Sequence, residues 1–500
     1  MITEPLFASM LPADSGSPVT PVASTDAIFD ALNPKGRRRS ASRESLRPEE
    51  VLLTQSRRDD INANAHDVHR NVALLQWMVR QTLNYCCTFD VQFMTPDDSL
   101  NADLRTLMAR DCQAENLDYV GRMDWDDHRR VLESLKLTTG DAFVVPLREG
   151  RLQAIEGTSC RNPRTSEVGA NWVNGAQLNA RNRVIRWNFR DQRLDRLHGI
   201  DAVDRQISAR NVWQHCQYEG RLNQIRGISP INTILNEIRD VYEGFDHARA
   251  KMKLDQIFGA HVKYREGEDD PVANEVDADG NPADNDGDTD DNLHMDFGSG
   301  PVVIARDDIE DVKLLMGQNP SQNTQDFLQL CIMVALIALD LPYNFFDTAH
   351  TNFFGSRAAW ILYERSCMAR RKAQLRLHRR MTDWRLLQWT LPVDMGGTAE
   401  IALPRGMTPS DLLYRWIPRG MPWWKPGEEL DANLVAVASG LKTMQGVCDE
   451  NDLGIYHENL KQLKREREQA EALGFSMNFN PNKLAASLQP VTARATGVPA

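Results

Sequence analysis

The sequence predicts an α+β fold built around two very long helices that a strongly acidic insertion separates. One helix follows Ser229-Pro230, where apolar residues recur every three or four positions, as they do on one face of a helix. The other covers roughly residues 356–389 and is rich in arginine. Between residues 142 and 189, apolar and β-branched runs bounded by turn signals predict strands. Helices and strands together indicate a mixed fold.

Length and composition set the broad class. The chain has 500 residues, which is enough for two to four domains, and a net charge of −12. No overall basic field therefore attracts nucleic acid. The eight cysteines form no C-x-x-C pair, so we expect reduced thiols. We find no secretory signal, and the longest apolar run, 331–339, is too short to cross a bilayer, so we expect a soluble, intracellularly made protein without membrane contact.

The N-terminal half should begin with a flexible arm, residues 1–50, which is rich in proline, serine and arginine. Its basic cluster at 35–39 could contact nucleic acid or simply be solvated. Helical periodicity and strand patterns follow in order. The predicted elements are helices at 57–83, 101–111 and 126–137, a hairpin of 142–147 with 152–155, and a strand at 184–189.

The first long helix has a clear beginning. Ser229 is a good N-cap, and Pro230 suits the first helical position, where no amide hydrogen is needed. The apolar pattern continues to about residue 258, which corresponds to a rod roughly 40 Å long at 1.5 Å per residue. Such a rod is either a pillar in an assembly or one long core helix of a large enzyme.

Residues 266–296 carry thirteen acidic groups and no lysine or arginine, so we expect a solvated loop. Asp277 and Asp279 begin like a calcium loop, but Pro282 stands where an EF-hand needs glycine. His66 and His69 lie three residues apart without further ligands, so we expect surface or capping residues. No metal site is predicted.

The C-terminal half begins with a short strand predicted at 301–305 and a helix at 324–339, which should be well buried because it is apolar nearly all round. The following long helix holds nine basic residues against two acidic ones between positions 357 and 385. Its arginines either contact DNA phosphates or pair with acidic neighbours. Two further helices are predicted at 428–445 and 455–473.

Catalytic motifs are missing from the sequence. We find no G-x-x-x-x-G-K-[ST], no G-x-G-x-x-G after a strand, no G-x-S-x-G and no H-E-x-x-H. We therefore expect no enzyme, no catalytic residue and no cofactor.

Several landmarks, taken in order, resemble the portal proteins of tailed bacteriophages, in the lambda-like subfamily. The resemblance covers roughly residues 50–475 and departs from the family at Phe354-Gly355, at Lys425-Pro426 and in the acidic insertion. The landmarks are the helix opening at Arg57, the run Asn223-Gln224-Ile225-Arg226-Gly227-Ile228-Ser229-Pro230, the turn Leu341-Pro342-Tyr343, the segment Asn352 to Ala359, and the closing helices.

The resemblance implies a homo-oligomeric ring, usually a dodecamer, at one capsid vertex of a virion assembled in the host cytoplasm. Double-stranded DNA would pass non-specifically through its channel during packaging by the terminase large subunit and during ejection. The other partners implied are the major capsid and scaffold proteins and a head-completion or adaptor protein. Head-to-tail contacts in cyclic symmetry are the arrangement that closes such a ring.

The resemblance also implies an anatomy and site residues. The regions are a wing at 51–228, a stem helix at 229–258, a clip at 259–321, a second stem helix at 322–340, a tunnel loop at 341–356, a wing helix and return at 357–424, a crown at 425–475 and a flexible tail at 476–500. The tunnel-loop residues are Asn344, Asp347, His350, Asn352 and Arg357. The clip docking residues are Glu268, Asp269, Asp270, Asp277 and Asp279, and the structural motif is Gln224, Arg226, Gly227, Ser229 and Pro230.

Two other classes of protein stay open at this point. A nuclease could use the carboxylates of 266–296 to hold magnesium, although catalytic carboxylates usually belong to ordered elements. Alternatively, the chain could be another structural protein of the virion, such as a capsid or head-tail adaptor subunit.

Overall fold

The structure is a computed structural model that describes residues 47–164, 171–191, 203–218, 220–255, 260–264, 309–314, 322–347, 352–420 and 423–475. It confirms the α+β fold class. The described helices are α1 (Glu49–Leu52), α2 (Gln55–Asn71), α3 (Ala73–Cys86), α4 (Asp98–Asp111), α5 (Ala114–Leu117), α6 (Trp125–Thr139), α7 (Leu235–Asp255), α8 (Gln322–Ile337), α9 (Phe353–Thr390), α10 (Pro426–Ala438), α11 (Met444–Glu450) and α12 (Tyr456–Ala472). None of them is long and apolar enough to span a membrane.

The described strands form small antiparallel sheets. They are β1 (Phe89–Phe93), β2 (Asp141–Pro146), β3 (Leu152–Glu156), β4 (Trp172–Val173), β5 (Ala176–Leu178), β6 (Val184–Asp191), β7 (Val203–Ser208), β8 (Trp213–Cys216), β9 (Ala260–Tyr264), β10 (Ile309–Leu314) and β11 (Tyr414–Pro418). The predicted hairpin is confirmed as β2 and β3, which pair with Ala142 opposite Glu156. The predicted strand at 184–189 is confirmed as β6.

Three hydrophobic clusters hold these elements together. The first joins α2, α3, α7, α8 and the N-terminal half of α9. The second joins the C-terminal half of α9 to α4, α6 and β2. The third lies under the β4-β5-β6-β7 sheet, where the Phe143 ring packs against Trp187 and Phe189 with centroids 4.9 and 5.1 Å apart. Because α9 contributes residues to the first two clusters, it connects them within the described chain.

The prediction of one helix over 57–83 was wrong, because two helices meet at Val72. This residue has an extended backbone, with φ −113° and ψ 109°, while its amide still donates to the Val68 carbonyl over 2.9 Å. The bend lets Leu75, Met78 and Val79 of α3 enter the core from a new direction. The two shorter helices predicted at 101–111 and 126–137 are confirmed as α4 and α6.

The first long helix begins differently from the prediction. Ser229 is the N-cap, as expected, but Pro230–Thr233 is a 3₁₀ turn, and the α-helix begins at Leu235. The next helix, predicted at 324–339, is α8. The expectation that α8 is well buried was wrong, because one face packs on α7 while Phe327 and Ile337 on the other are 62% and 68% exposed.

The second long helix, α9, begins at Phe353, three residues earlier than predicted, because the Asn352 side chain accepts a hydrogen bond from the Gly355 amide over 2.6 Å. The single helix predicted at 428–445 was wrong. Gly440 has φ +72°, and Thr443 caps a new helix, so α10 and α11 are separate. The helix at 455–473 is confirmed as α12.

Some predictions lie outside the described residues. They are the N-terminal arm up to residue 46, the acidic segment 266–296, the strand at 301–305 and the tail at 476–500. The strands β9 and β10 flank the acidic segment and pair antiparallel, with Val262 opposite Val312.

Candidate functional site

The run that precedes α7 is held by a buried ion pair between Arg226 and Asp141. Arg226 Nε and Nη2 donate to the two Asp141 carboxylate oxygens over 2.5 and 2.9 Å. Both side chains are almost fully buried. The remaining guanidinium hydrogens reach the backbone carbonyls of Cys160, Asn174 and Gly157 over 3.0, 2.8 and 2.6 Å. The guanidinium therefore ties α7 to β2 and to the loops around it.

The electrostatics of this pair follow from its geometry. Burial raises the pKa of the Asp141 carboxyl, but the Arg226 charge and hydrogen bonds outweigh burial and hold that pKa below its ordinary value. Burial lowers the pKa of Arg226, yet Asp141 raises it above its ordinary value. Both groups stay charged, as a buried pair with a bidentate geometry and satisfied hydrogens should.

A second pair of charges completes this junction. Glu50 of α1 accepts the backbone amides of Ile225 and Arg226 through Oε1, over 3.0 and 2.8 Å. Arg58 of α2 lies 3.5 Å from Glu50 Oε2 and donates to the Gly227 carbonyl over 2.5 Å. Burial lowers the pKa of Arg58, and the nearby Arg226 charge adds to this effect.

Gly227 is required by a close approach between two backbones. A Cβ at Gly227 would lie 1.8 Å from the Gly140 carbonyl oxygen, far inside van der Waals contact. Gly140 itself has φ +92° and ends α6. The glycine in the motif therefore lets the run pass directly over the end of α6.

The other motif residues also have structural contacts. Gln224 Nε2 donates to the Arg226 carbonyl over 2.9 Å, and the Ser229 hydroxyl donates to the Leu137 carbonyl over 2.6 Å. Pro230 opens the 3₁₀ turn. The five motif residues thus act together, and we name them with Glu50, Arg58 and Asp141 the Arg226 junction. Sequence reasoning missed those three, which lie more than 80 residues from Arg226.

A second buried polar cluster lies between α6, β8 and α9. Glu133 contacts Lys136 Nζ over 2.6 Å and His215 Nε2 over 2.7 Å. Burial raises the pKa of Glu133, but Lys136 and His215 lower it to about 2. Burial also lowers the pKa of His128 to about 4 and that of His378 well below its ordinary value. These histidines are neutral at pH 7 and contribute to packing.

The segment before α9 is held by aromatic rings. Phe345 packs against Tyr85 and Tyr363, with centroids 5.5 and 5.3 Å apart, and Phe346 meets Trp77 at 5.8 Å. Residues 341–347 are thereby attached to α3 and α9. This attachment follows from no local sequence pattern.

The tunnel-loop candidates do not form one cluster. Asn344 lies half-buried in the turn Tyr343–Phe345, and the Asp347 amide donates to the Tyr343 carbonyl over 3.0 Å. Asn352 caps α9, and Arg357 pairs with Glu429 of α10 over 3.1 Å. His350 lies outside the described residues, as do the clip candidates Glu268, Asp269, Asp270, Asp277 and Asp279.

The basic residues of α9 divide into two groups. Four arginines pair with acidic neighbours, as one of the two sequence interpretations expected: Arg357 with Glu429, Arg370 with Asp340, Arg371 with Glu364, and Arg385 with Asp111. The other five cations are exposed, and within the described ranges their side chains form no ion pair or hydrogen bond. They are Arg365, Lys372, Arg376, Arg379 and Arg380.

The cysteines and histidines indicate no redox or metal centre in the part of the chain that the structure describes. All eight cysteines lie there as free thiols, in agreement with the sequence prediction. His66 and His69 are half-buried on α2, and no group of three or more metal-ligating side chains occurs among the described residues. Burial lowers the pKa of His69, and His66 lowers it further.

Comparison with known proteins adds a family. A model described as phage portal protein, lambda family, matches residues 35–371. No curated protein sequence matches the chain. Among solved structures, the chain is similar to the neck of an empty gene transfer agent particle computed with C6 symmetry, with a TM-score of 0.44, 10% identity and coverage of 76% of this chain and 90% of that one. It is also similar to the neck of a native particle computed with C12 symmetry, with a TM-score of 0.39, 11% identity and coverage of 78% and 93%.

Proposed function

The chain belongs to the lambda family of phage portal proteins, which are structural components of the virion and not enzymes, and from this premise we propose that it forms a closed ring at one capsid vertex. Through this ring, terminase packages double-stranded DNA, and the DNA later leaves by the same route. A ring of twelve 56.7 kDa subunits would have a mass of about 680 kDa.

The observation that carries the ring is the outer face of α8. Phe327, Leu330, Val334 and Ile337 are all exposed and recur at helical spacing, which places them within an arc of about 80°. Soluble monomers rarely expose contiguous apolar patches of this kind, and such patches mark interaction sites. We infer that a neighbouring subunit covers this face, which we call the α8 stripe.

A ring needs two different complementary surfaces on each subunit, because head-to-tail contacts close it. The α8 stripe is one of them. On its other side α8 packs through Leu328 and Ile332 onto α7, so a single helix links the interior of one subunit to the surface of the next. In the proposed anatomy α7 and α8 are the stem helices.

The remaining regions are assigned by resemblance to the family. We propose residues 259–321 as the clip that docks terminase and then the head-completion protein, and residues 341–356 as the tunnel loop that faces DNA. Residues 425–475 would be the crown. The pairing of Arg357 with Glu429 supports a modest tunnel-loop contact, because a paired arginine attracts phosphate less strongly than a free one.

The test is native mass measurement with negative-stain imaging of the wild-type protein and a Phe327→Gln/Ile337→Gln variant. We expect a ring of about 680 kDa for the wild type and smaller species for the variant. The matched control is Val393→Gln, whose side chain is 72% exposed in a turn and lies outside the α8 stripe. A compact monomer or dimer that does not assemble with scaffold or capsid protein would refute the ring.

A further inference from the structure

We propose that the five unpaired cations of α9 form a binding surface for the phosphate backbone of double-stranded DNA that is held against the ring. This inference rests on the proposed function and adds to it a specific DNA-contacting surface. We call the surface the α9 cation stripe. It consists of Arg365, Lys372, Arg376, Arg379 and Arg380, all of which are exposed.

The helix places these five side chains on one face. At about 100° per residue they fall within an arc of about 100°, and they extend over about 22 Å of helix at 1.5 Å per residue. DNA rises 3.4 Å per base pair, so the stripe matches about six base pairs. Asp383 lies at its C-terminal end, where its Oδ1 accepts the Tyr414 hydroxyl over 2.5 Å.

Contacts within the chain separate this stripe from the other arginines of α9. Arg370, Arg371 and Arg385 are paired with Asp340, Glu364 and Asp111, and their charges are used inside the subunit. The five cations of the stripe have no such partner among the described residues. Five like charges on one helix face repel one another, and this cost is recovered when they meet a polyanion.

The chemistry of the surface favours phosphate over a protein partner. Protein interfaces depend on buried aromatic or aliphatic anchors. From Lys372 to Arg380, no exposed residue is apolar, because Leu375 is half-buried and Leu377 is buried. The exposed apolar residues Ile361 and Met368 of the same face lie on either side of Arg365, so the segment without an apolar residue is the part of the stripe from Lys372 to Arg380. A purely cationic segment without an anchor fits sequence-independent binding to the DNA backbone.

The strength of this surface indicates which DNA it contacts. A channel that moves DNA must not bind it tightly, and five unpaired cations per subunit, repeated around a ring, would bind it tightly. The tunnel-loop candidate Arg357 is paired instead. We therefore infer that the stripe holds DNA at rest against the ring, and that paired or neutral groups face the moving strand.

The test measures binding of the full-length assembled protein to a 30-base-pair duplex of mixed sequence between 50 and 200 mM salt. The variant is Arg376→Gln/Arg379→Gln/Arg380→Gln, and the matched control is Arg181→Gln/Arg183→Gln/Arg186→Gln, which removes three arginines near and within β6 that are also exposed. Three lost phosphate contacts lower the salt slope by about 2.7 for each subunit that contacts the duplex, so between 50 and 200 mM salt the affinity of the variant should fall at least about 40-fold less than that of the wild type. The control should keep the wild-type slope, and a duplex of different sequence should give the same slopes.

Several outcomes would overturn the inference. An unchanged salt slope in the stripe variant would mean that these arginines do not contact DNA. An equal decrease of the salt slope in the control would mean that DNA binding depends only on the overall charge of the protein. A variant that fails to assemble but retains its DNA slope shows that the stripe is a subunit contact. If the wild type forms no ring yet the stripe variant still loses the slope, the ring proposal fails while the DNA surface survives.

Discussion

Arginine serves two opposite purposes in the Arg226 junction and in the α9 cation stripe. Arg226 is fully buried, and its guanidinium donates to Asp141 and three backbone carbonyls. Arg376 of the stripe is exposed and, within the described chain, has no ion pair or hydrogen bond from its side chain. The same side chain therefore fixes the geometry of one region and leaves a charge available in the other.

The two regions differ in whether their charges stabilise the fold or remain available for binding. A buried charge without its partner costs several kcal/mol. All the charged groups of the junction must therefore be present to hold the run before α7 at its observed position over the end of α6. An exposed charge costs little, because water solvates it, and it can serve a partner outside the chain. Stability measurements should therefore respond strongly to the junction and weakly to the stripe, whereas DNA binding should respond in the reverse order.

The largest effect is expected from Arg226→Met. The change leaves Asp141 charged and buried without its bidentate partner, which costs about 3–5 kcal/mol of the free energy of unfolding. Urea unfolding of the variant and the wild type measures it. The double variant Arg226→Met/Asp141→Leu should recover part of this loss, because replacing both charges removes the unpaired carboxylate. A loss below 1 kcal/mol in the single variant would show that the Arg226–Asp141 ion pair contributes little to the stability of the fold.

Acid should destabilise the protein through its buried histidines. The pKa of His128 is about 4 in the folded chain and 6.5 in the unfolded one, so the unfolded state binds the extra proton between these values. Stability is therefore lost as the pH falls from about 6.5 to 4, by up to about 3 kcal/mol for this residue. Glu133, with a pKa of about 2, adds a loss below pH 4.5.

His128→Gln isolates the contribution of one histidine. The free energy of unfolding, measured with urea between pH 7 and 4, should depend less steeply on pH in this variant than in the wild type. The slope should be smaller by up to about 1.4 kcal/mol per pH unit, which corresponds to one proton. Part of the pH dependence of stability should remain in the variant, because burial also lowers the pKa of His378. A variant with the full wild-type slope would show that His128 does not titrate in this range.

Gly227→Ala tests the backbone contact of the junction. The new Cβ would clash with the Gly140 carbonyl, and because this carbonyl belongs to the backbone, relief requires the chain to move, at a cost of about 2–3 kcal/mol. Thermal unfolding measures the difference. Gly427→Ala is the matched control, because no atom lies within 4 Å of its Cβ position, and it should change stability by less than 1 kcal/mol.

The smallest effect on stability is expected in α9. Arg376→Gln should change the free energy of unfolding by less than about 0.5 kcal/mol, because the side chain is exposed. Arg357→Gln breaks a partly exposed pair with Glu429 and should cost at most about 1 kcal/mol. Urea unfolding with both variants checks this. A loss above 2 kcal/mol for Arg376→Gln would mean that the stripe supports the fold.

The sequence by itself determined the local elements of this protein. Alternating residues and turn signals predicted the β2–β3 hairpin, Ser229-Pro230 marked the approach to α7, and arginine-rich periodicity predicted α9 within a few residues. These features depend on neighbours within about four positions, so they can be read without knowing the fold. The order and spacing of several landmarks, among them the run around Arg226, also indicated the family.

Only the tertiary structure decided which charges are paired and which apolar faces are covered. Asp141 and Glu50 meet Arg226 from 85 and 176 residues away, and the same arginine-rich pattern yields both paired and exposed side chains on α9. Likewise, α8 is apolar nearly all round, yet one face packs on α7 and the other is exposed. Such pairings depend on contacts between segments that are distant in the sequence. The periodicity of a short stretch of sequence does not predict the geometry of those contacts.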